Sequence, residues 1–165
     1  MATGTEAYDA SVGGTGIPGW GGANITKIVK RMDAADIIAA DATLAAAGKI
    51  AAGQEITAVE LPVGFNILGV AAKIVEVCTD ATHTANIGTY ADTTAFDAAI
   101  DIGAAVGTLT YTGTDAGGAA ALNGTMITST ASNANKVCVE YIADTTNGAF
   151  DLMVWGVDLR FPSQM

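Results

Sequence analysis

The chain has 165 residues, a length typical of one domain that buries roughly two-thirds of its unfolded surface. Seven Lys and Arg residues against seventeen Asp and Glu give a net charge of −10, which argues against a nucleic-acid-binding surface, because such surfaces use cations to displace counterions. Hydrophobic residues make up 50% of the chain, but aromatic residues only 6%. The core therefore buries little apolar area per residue, and oligomerisation would add stability.

The sequence also indicates the cellular compartment in which the protein is made. The opening MATGTEAYDA lacks the basic region and apolar core of a signal peptide, and charged residues interrupt the Ala-rich stretch Ala34–Gly53, so we expect no membrane span. Cys78 and Cys138 lack CxxC spacing and are predicted to be free, buried thiols. We therefore expect synthesis and assembly in a cytoplasm.

Residues 1–24 are rich in Gly, Ala and Thr and show no periodicity. We interpret them as an extended N-terminal arm, followed by a single domain over residues 25–165. Trp20 is the residue that could anchor this arm on a surface. An equally good alternative is that its ring lies over the edge of the domain's own core.

The first predicted elements are a strand over Ile25–Met32 and one or two short helical turns over Ala34–Ala47, with Asp33 as the cap. The strand carries a cationic cluster, Lys27, Lys30 and Arg31. Such a cluster is typical either of a solvated strand edge or of a contact with an acidic neighbour.

A strand over Glu55–Leu61 and a Pro-Val-Gly turn lead to Phe65–Cys78, the longest apolar run. Its apolar residues fall on both faces: Leu68, Val70 and Ile74 are predicted on one, and Ile67, Val75 and Val77 on the other. This pattern indicates a strand that is covered on both sides. A second sheet would cover one side, and a neighbouring subunit is a candidate for the other.

Shorter elements follow. Strands are predicted over His83–Tyr90, Val106–Thr112, Met126–Thr130 and Lys136–Ala143, and one helical turn over Phe96–Ile100. Asp144–Gly148 contains Asn-Gly, a hairpin signal. In the last strand, Ala149–Phe161, the residues Met153, Trp155, Val157, Leu159 and Phe161 share one face at a period of two.

Some eight short strands with little helix predict a mostly β fold. The expected architecture is an antiparallel β-sandwich or jelly roll, with one or two short helices and the extended N-terminal arm.

Catalytic motifs are not recognisable in the sequence. His83 is the sole histidine, and neither GxSxG nor HExxH occurs. Gly14–Gly19 matches G-x-G-x-x-G, but no strand precedes it and Pro18 lies inside it. The carboxylates Asp92, Asp97 and Asp101 do not have the spacing of a calcium loop. We expect no enzyme, no cofactor and no metal site.

Four segments together resemble a known family. They are Leu61–Val70 (LPVGFNILGV), the apolar strand and polar loop Lys73–Thr84, Ala85–Gly103 (ANIGTYADTTAFDAAIDIG) and Val139–Ile142 (VEYI). Their order, followed by a hydrophobic last strand, resembles the capsid decoration, or cement, proteins of tailed bacteriophages. The resemblance covers about Leu61–Phe161.

The resemblance implies a homotrimeric knob on the outer surface of the virion capsid, bound to the major capsid protein and stabilising the expanded head. A terminal arm commonly reaches across capsid subunits in such proteins, which would suit residues 1–24. The family supplies no catalytic residues. The candidate contacts with the capsid are Ile17, Pro18, Trp20, Lys27, Lys30 and Arg31.

Two other readings stay open. The same resemblance would also suit another phage virion component, a tail, neck or fibre protein. A carbohydrate-binding β-sandwich would need surface aromatic residues for stacking on sugars, and Tyr8, Trp20, Tyr90 and Tyr111 are scattered along the chain.

Overall fold

The computed structural model describes residues 25–111 and 125–159. Their strands are β1 (Ile25–Asp33), β2 (Gln54–Glu60), β3 (Phe65–Glu76), β4 (Thr84–Thr89), β5 (Asp97–Asp101), β6 (Leu109–Tyr111), β7 (Thr125–Met126), β8 (Lys136–Tyr141) and β9 (Ala149–Asp158). The helices are α1 (Ala34–Ala40) and α2 (Ala42–Ala47), with a 3₁₀ turn at Ala131–Asn133.

The described strands form two antiparallel sheets. The first sheet has the order β1-β9-β3-β6, with β7 also paired to β3, and the second has the order β2-β8-β4-β5. Consecutive strands often lie in different sheets, so the chain crosses between the layers repeatedly. The predicted mostly β sandwich with two short helices is confirmed.

The core lies between the two sheets and is built from alternate residues of each strand. Its largest fully buried side chains are Tyr141, Phe65, Phe96, Phe150, Met32, Ile50, Leu61, Ile67, Ile74, Ile87, Leu152 and Val70. Aliphatic residues dominate this set, as expected for a sequence poor in aromatic residues.

A β-bulge in β3 changes which residues face the core. The register with β9 shifts between Ile67 and Gly69, which leaves Leu68 as the extra residue. The bulge resets the period-two alternation, so Ile67, Val70 and Ile74 are buried together while Leu68 is 41% exposed. The predicted grouping of Leu68 with Val70 and Ile74 is therefore wrong.

Both helices begin at aspartate caps. Asp33 Oδ1 accepts hydrogen bonds from the backbone N–H groups of Ala35 and Asp36, which confirms the predicted cap. Asp41, which interrupts the apolar pattern, caps α2 in the same way through Thr43 and Leu44. These carboxylates satisfy N–H groups that a helix leaves unpaired.

The predicted helical turn at Phe96–Ile100 is wrong, because this segment contains strand β5. Its residues pair with β4, with Ile100 opposite Ala85 and Asp97 opposite Ile87. Phe96 is buried, and its N–H donates to the carbonyl of Ile87. Pairing with β4 overrides the local helical pattern.

The hairpin prediction at Asp144–Gly148 is also wrong. β8 pairs with β2 and β4 in the second sheet, whereas β9 pairs with β1 and β3 in the first. The loop is instead a crossover, tied to other segments by an antiparallel bridge between Thr145 and Ile50 and by Asp80. Two further strands are shorter than predicted: β6 spans Leu109–Tyr111 and β7 spans Thr125–Met126.

Cys78 and Cys138 are free and buried, as predicted. Burial raises the pKa of the Cys138 thiol to about 12. Within the described ranges, the His, Cys, Asp and Glu side chains form no group of three that could hold a metal ion. No helix in this part of the chain is long and apolar enough to cross a membrane.

Candidate interaction surface

Among the described strands, β1 lies at the edge of the first sheet, and it carries the predicted cationic cluster. Lys27 and Arg31 lie in register with Trp155 and Asp151 of β9, on the outer side of the sheet. Lys30 lies in register with the buried Leu152, so the period of two places it on the core side. The structure therefore separates Lys30 from the other two cations. Cations on an edge strand discourage pairing with a foreign strand.

The other three predicted contact residues, Ile17, Pro18 and Trp20, lie outside the described residues. The described chain begins at Ile25, at the free end of edge strand β1, opposite Val157. The predicted arm is thus joined directly to the outer edge of the first sheet.

Strand β9 is apolar on both sides. Phe150, Leu152 and Val154 are buried in the core, and the alternate residues Met153, Trp155 and Val157 are half-buried on the outer side. The indole ring of Trp155 fills the space beside Gly69, where an added Cβ would lie 2.2 Å from Trp155 Cζ2. The missing side chain at Gly69 therefore lets the indole ring lie close against β3.

Exposed apolar side chains from neighbouring strands surround the half-buried residues of β9. Of eight large hydrophobic side chains exposed in the described part of the chain, five lie on the outer side of the first sheet: Ile25 (67%), Val29 (52%), Met126 (46%), Leu68 (41%) and Leu109 (37%). Together with Met153, Trp155 and Val157 they form a surface that we call the apolar face. Contiguous apolar surface of this kind marks interaction sites in many proteins.

Charged groups lie near the margins of the apolar face. Asp151 is in register with Arg31 on one side and Lys73 on the other. Arg31 Nε donates to Asp151 Oδ1 at 2.6 Å, and this hydrogen bond raises the pKa of Arg31. Lys27 lies further along β1. Three of the seven Lys and Arg residues thus lie on this face, although the protein as a whole is strongly acidic.

The outer side of the second sheet is different. Glu55 and Glu140 lie opposite each other there, and Asn86 donates to Glu140 Oε2 at 2.8 Å and accepts from the N–H of Ala99. The segment 89–96 folds back over Gly88, where an added Cβ would meet the carbonyl oxygen of Asp92 at 2.2 Å. This side of the sandwich is polar and partly covered by its own loop.

The sole histidine lies away from the apolar face. His83 Nδ1 lies 3.1 Å from the carbonyl oxygen of Asp80, and Nε2 lies 3.4 Å from Asp101 Oδ1. Its ring occupies the space beside Gly103. Among the described residues, these contacts join the loop before β4 to the end of β5 and give His83 a structural role.

The sequence reasoning proposed Lys27 and Arg31 as contacts, and the structure places both on the outer side of the first sheet. It missed the apolar face. One signal was present. Both sets of alternate residues in β9 are mainly apolar, so one set had to face away from the core. The contribution of β3 could not be read in the same way, because the bulge at Leu68 reverses its phase.

A scan against protein-family models found no match, and a search of curated proteins found none either. Among solved structures, the fold is similar to a chain of the cyanophage Pam1 capsid asymmetric unit, with a TM-score of 0.59, 19% identity and coverage of 92% of this chain and 97% of that chain. It is also similar to a chain of the capsid of Ralstonia phage GP4, with a TM-score of 0.50, 16% identity and coverage of 92% and 94%. The β-sandwich described above is therefore a fold shared with chains of two phage capsids.

Proposed function

We propose that this chain is a structural protein of a bacteriophage virion, and specifically a homotrimeric decoration protein that binds the major capsid protein lattice on the outer surface of the head. The observation that carries the proposal is the similarity to chains in two phage capsids, which extends over 92% of this chain in each case.

The lengths support an accessory role. The similarity covers 97% and 94% of the two capsid chains, so those chains are about as long as this one. A small sandwich without recognised catalytic motifs is suited to repeated contacts on a shell. On a lattice, linked weak contacts give an avidity that a small interface could not supply alone.

The arm is part of the proposal. Residues 1–24 would reach from the start of β1 across neighbouring capsid subunits and become ordered on binding, with Trp20 as an apolar anchor. The domain of residues 25–165 would form the knob, and binding would reinforce the expanded head.

The test is direct binding followed by localisation. We expect the purified protein to co-sediment with empty expanded shells assembled from the major capsid protein of the same phage, at a saturating ratio of three copies per local threefold position. Electron microscopy of virions carrying a labelled copy should show label over the head. Label on the tail would refute decoration and support a tail, neck or fibre component, and failure to bind shells would remove the capsid role.

A further inference from the structure

The apolar face is the surface of the sandwich whose composition the fold itself does not explain. An antiparallel sheet with one side in water normally places polar residues on that side. The second sheet does so with Glu55 and Glu140, whereas the first sheet presents Val29 and Met126 at about half exposure. Exposing these side chains to water is unfavourable by roughly 25 cal/mol per Å², so a partner that covers them would gain that free energy.

The size of the face indicates the kind of partner. The face spans four strand positions, because β6 and β7 both pair with β3 at different points along it. Positions spaced ~4.8 Å apart, with about nine residues rising ~3.3 Å each, give a projected area of roughly 500 Å². A stable pair of proteins buries about 800 Å² per partner. The face is therefore small for a lasting contact between two free molecules, and adequate for one of several contacts made at once on a lattice.

The charges argue against a symmetric pair of apolar faces. In a two-fold contact both copies would contribute this same patch, so each would present Lys27 and Lys73 to a surface that carries the same two cations, and like charges in an interface oppose binding. Asp151 is already paired with Arg31. A partner with carboxylates around an apolar centre would instead complement both lysines.

We propose that the apolar face docks the knob onto the outer surface of the capsid shell, on a patch with an apolar centre and an acidic rim. This inference rests on the proposed function and adds the docking surface and the chemistry of its target. The proposed arm is joined at Ile25 to the strand that borders the apolar face. The two would then bind the shell as linked contacts.

The test introduces a charge at the centre of the face. Val29→Asp and Leu68→Asp should each weaken co-sedimentation with expanded shells at least tenfold, because a carboxylate would be buried against an apolar surface. The matched controls are Val106→Asp and Ile142→Asp, which change exposed apolar residues (65% and 40%) outside the apolar face and should bind as the unmodified protein does.

A second pair of variants guards against misfolding. Lys27→Glu leaves the apolar side chains intact and should weaken binding severalfold, with the deficit shrinking as salt increases. Lys136→Glu, at the start of β8 in the second sheet, is its control. Circular dichroism and melting would establish that each variant is folded before binding is compared.

The outcomes distinguish a failure of the proposed function from a failure of the docking proposal. If the unmodified protein does not bind shells, the proposed function fails and this inference fails with it. If it binds, and the variants of the apolar face bind equally well, only the inference is overturned. If Val29→Asp instead converts an oligomer into monomers in light scattering, the face is a contact between copies and the docking proposal is wrong.

Discussion

Asp80 shows how one side chain can fix a crossover between two sheets. Its carboxylate accepts a hydrogen bond from the N–H of Thr146 at 2.7 Å and another from the Thr146 hydroxyl at 2.9 Å. The N–H of neighbouring Thr79 donates to Asn147 Oδ1 at 2.8 Å. Desolvation by itself would raise the pKa of Asp80, but the hydrogen bonds from Thr146 outweigh it and hold the pKa below its ordinary value of 3.8.

We predict that Asp80→Asn lowers the free energy of unfolding at pH 7 by about 1–2 kcal/mol, since it weakens charge-assisted hydrogen bonds at a partly exposed site. Because the folded pKa lies below the unfolded one, the ionised carboxylate stabilises the fold above about pH 4, and this contribution is lost as the pH falls further. Urea unfolding at pH 7 and pH 3 should show the difference between variant and unmodified protein shrinking at pH 3.

The exposed Glu76 provides the control for Asp80. Glu76→Gln removes a carboxylate at the end of β3 and should leave stability nearly unchanged at both pH values. An Asp80→Asn deficit that is equally large at pH 3 and pH 7 would contradict the role of the ionised carboxylate.

At the scale of elements, the crossover from β8 to β9 depends on Gly148. Its φ of +94° lies in the region that favours glycine. An added Cβ would also lie 2.7 Å from Cys78 Cβ and 2.8 Å from Cys78 Cα. Gly107 has a similar φ of +90°, but no atom lies within 4 Å of the corresponding Cβ position. The two glycines therefore separate backbone strain from close packing.

We predict that Gly107→Ala lowers the free energy of unfolding by about 1 kcal/mol through backbone strain. Gly148→Ala should lower it by a further ~1–3 kcal/mol, because the main chain at Cys78 must move to relieve the overlap. Chemical denaturation of the two variants under the same conditions measures the loss from backbone strain and the additional loss from close packing. Equal losses would mean that packing against Cys78 is unimportant.

The sequence predicts elements well where the cause is local. The Asp33 cap, the short helices and strands β1, β2, β3, β4, β8 and β9 follow from propensity and periodicity. Asn147-Gly148 is a correct local signal as well, since Gly148 has a positive φ. This signal could not identify the strands that pair with β9. They are β1 and β3, both distant in sequence, so the turn leads into a crossover rather than a hairpin.

At the scale of the whole molecule, the two outer sides of the sandwich have different chemistry. The second sheet presents carboxylates and a covering loop, and the first presents the apolar face with Lys27, Arg31 and Lys73 near its margins. Sequence reasoning could offer a strand edge as one of two settings for the cations, because edge chemistry is local. It could not assemble the apolar face, because that face combines residues from five strands, one of them reset by the bulge at Leu68.

A protein that binds a repeating shell gains most from several modest contacts that act together. If residues 1–24 form the proposed arm, the junction at Ile25 would keep them at a high local concentration near the shell once the domain has docked. Loss of either contact should then reduce affinity far more than the lost area alone suggests, since the linked contact also loses its advantage.

We predict that deletion of residues 1–22 leaves the sandwich folded, with a melting temperature within ~3 °C of the full chain, because residues 25–111 and 125–159 supply two paired sheets and the core between them. Binding to expanded shells should fall at least tenfold in co-sedimentation. Trp20→Ala in the full chain should reproduce much of this loss if the ring is the anchor, with Tyr8→Ala as the aromatic control. Equal binding by the truncated protein would contradict the arm proposal, and a clear fall in melting temperature for Trp20→Ala would indicate that the ring packs on its own domain.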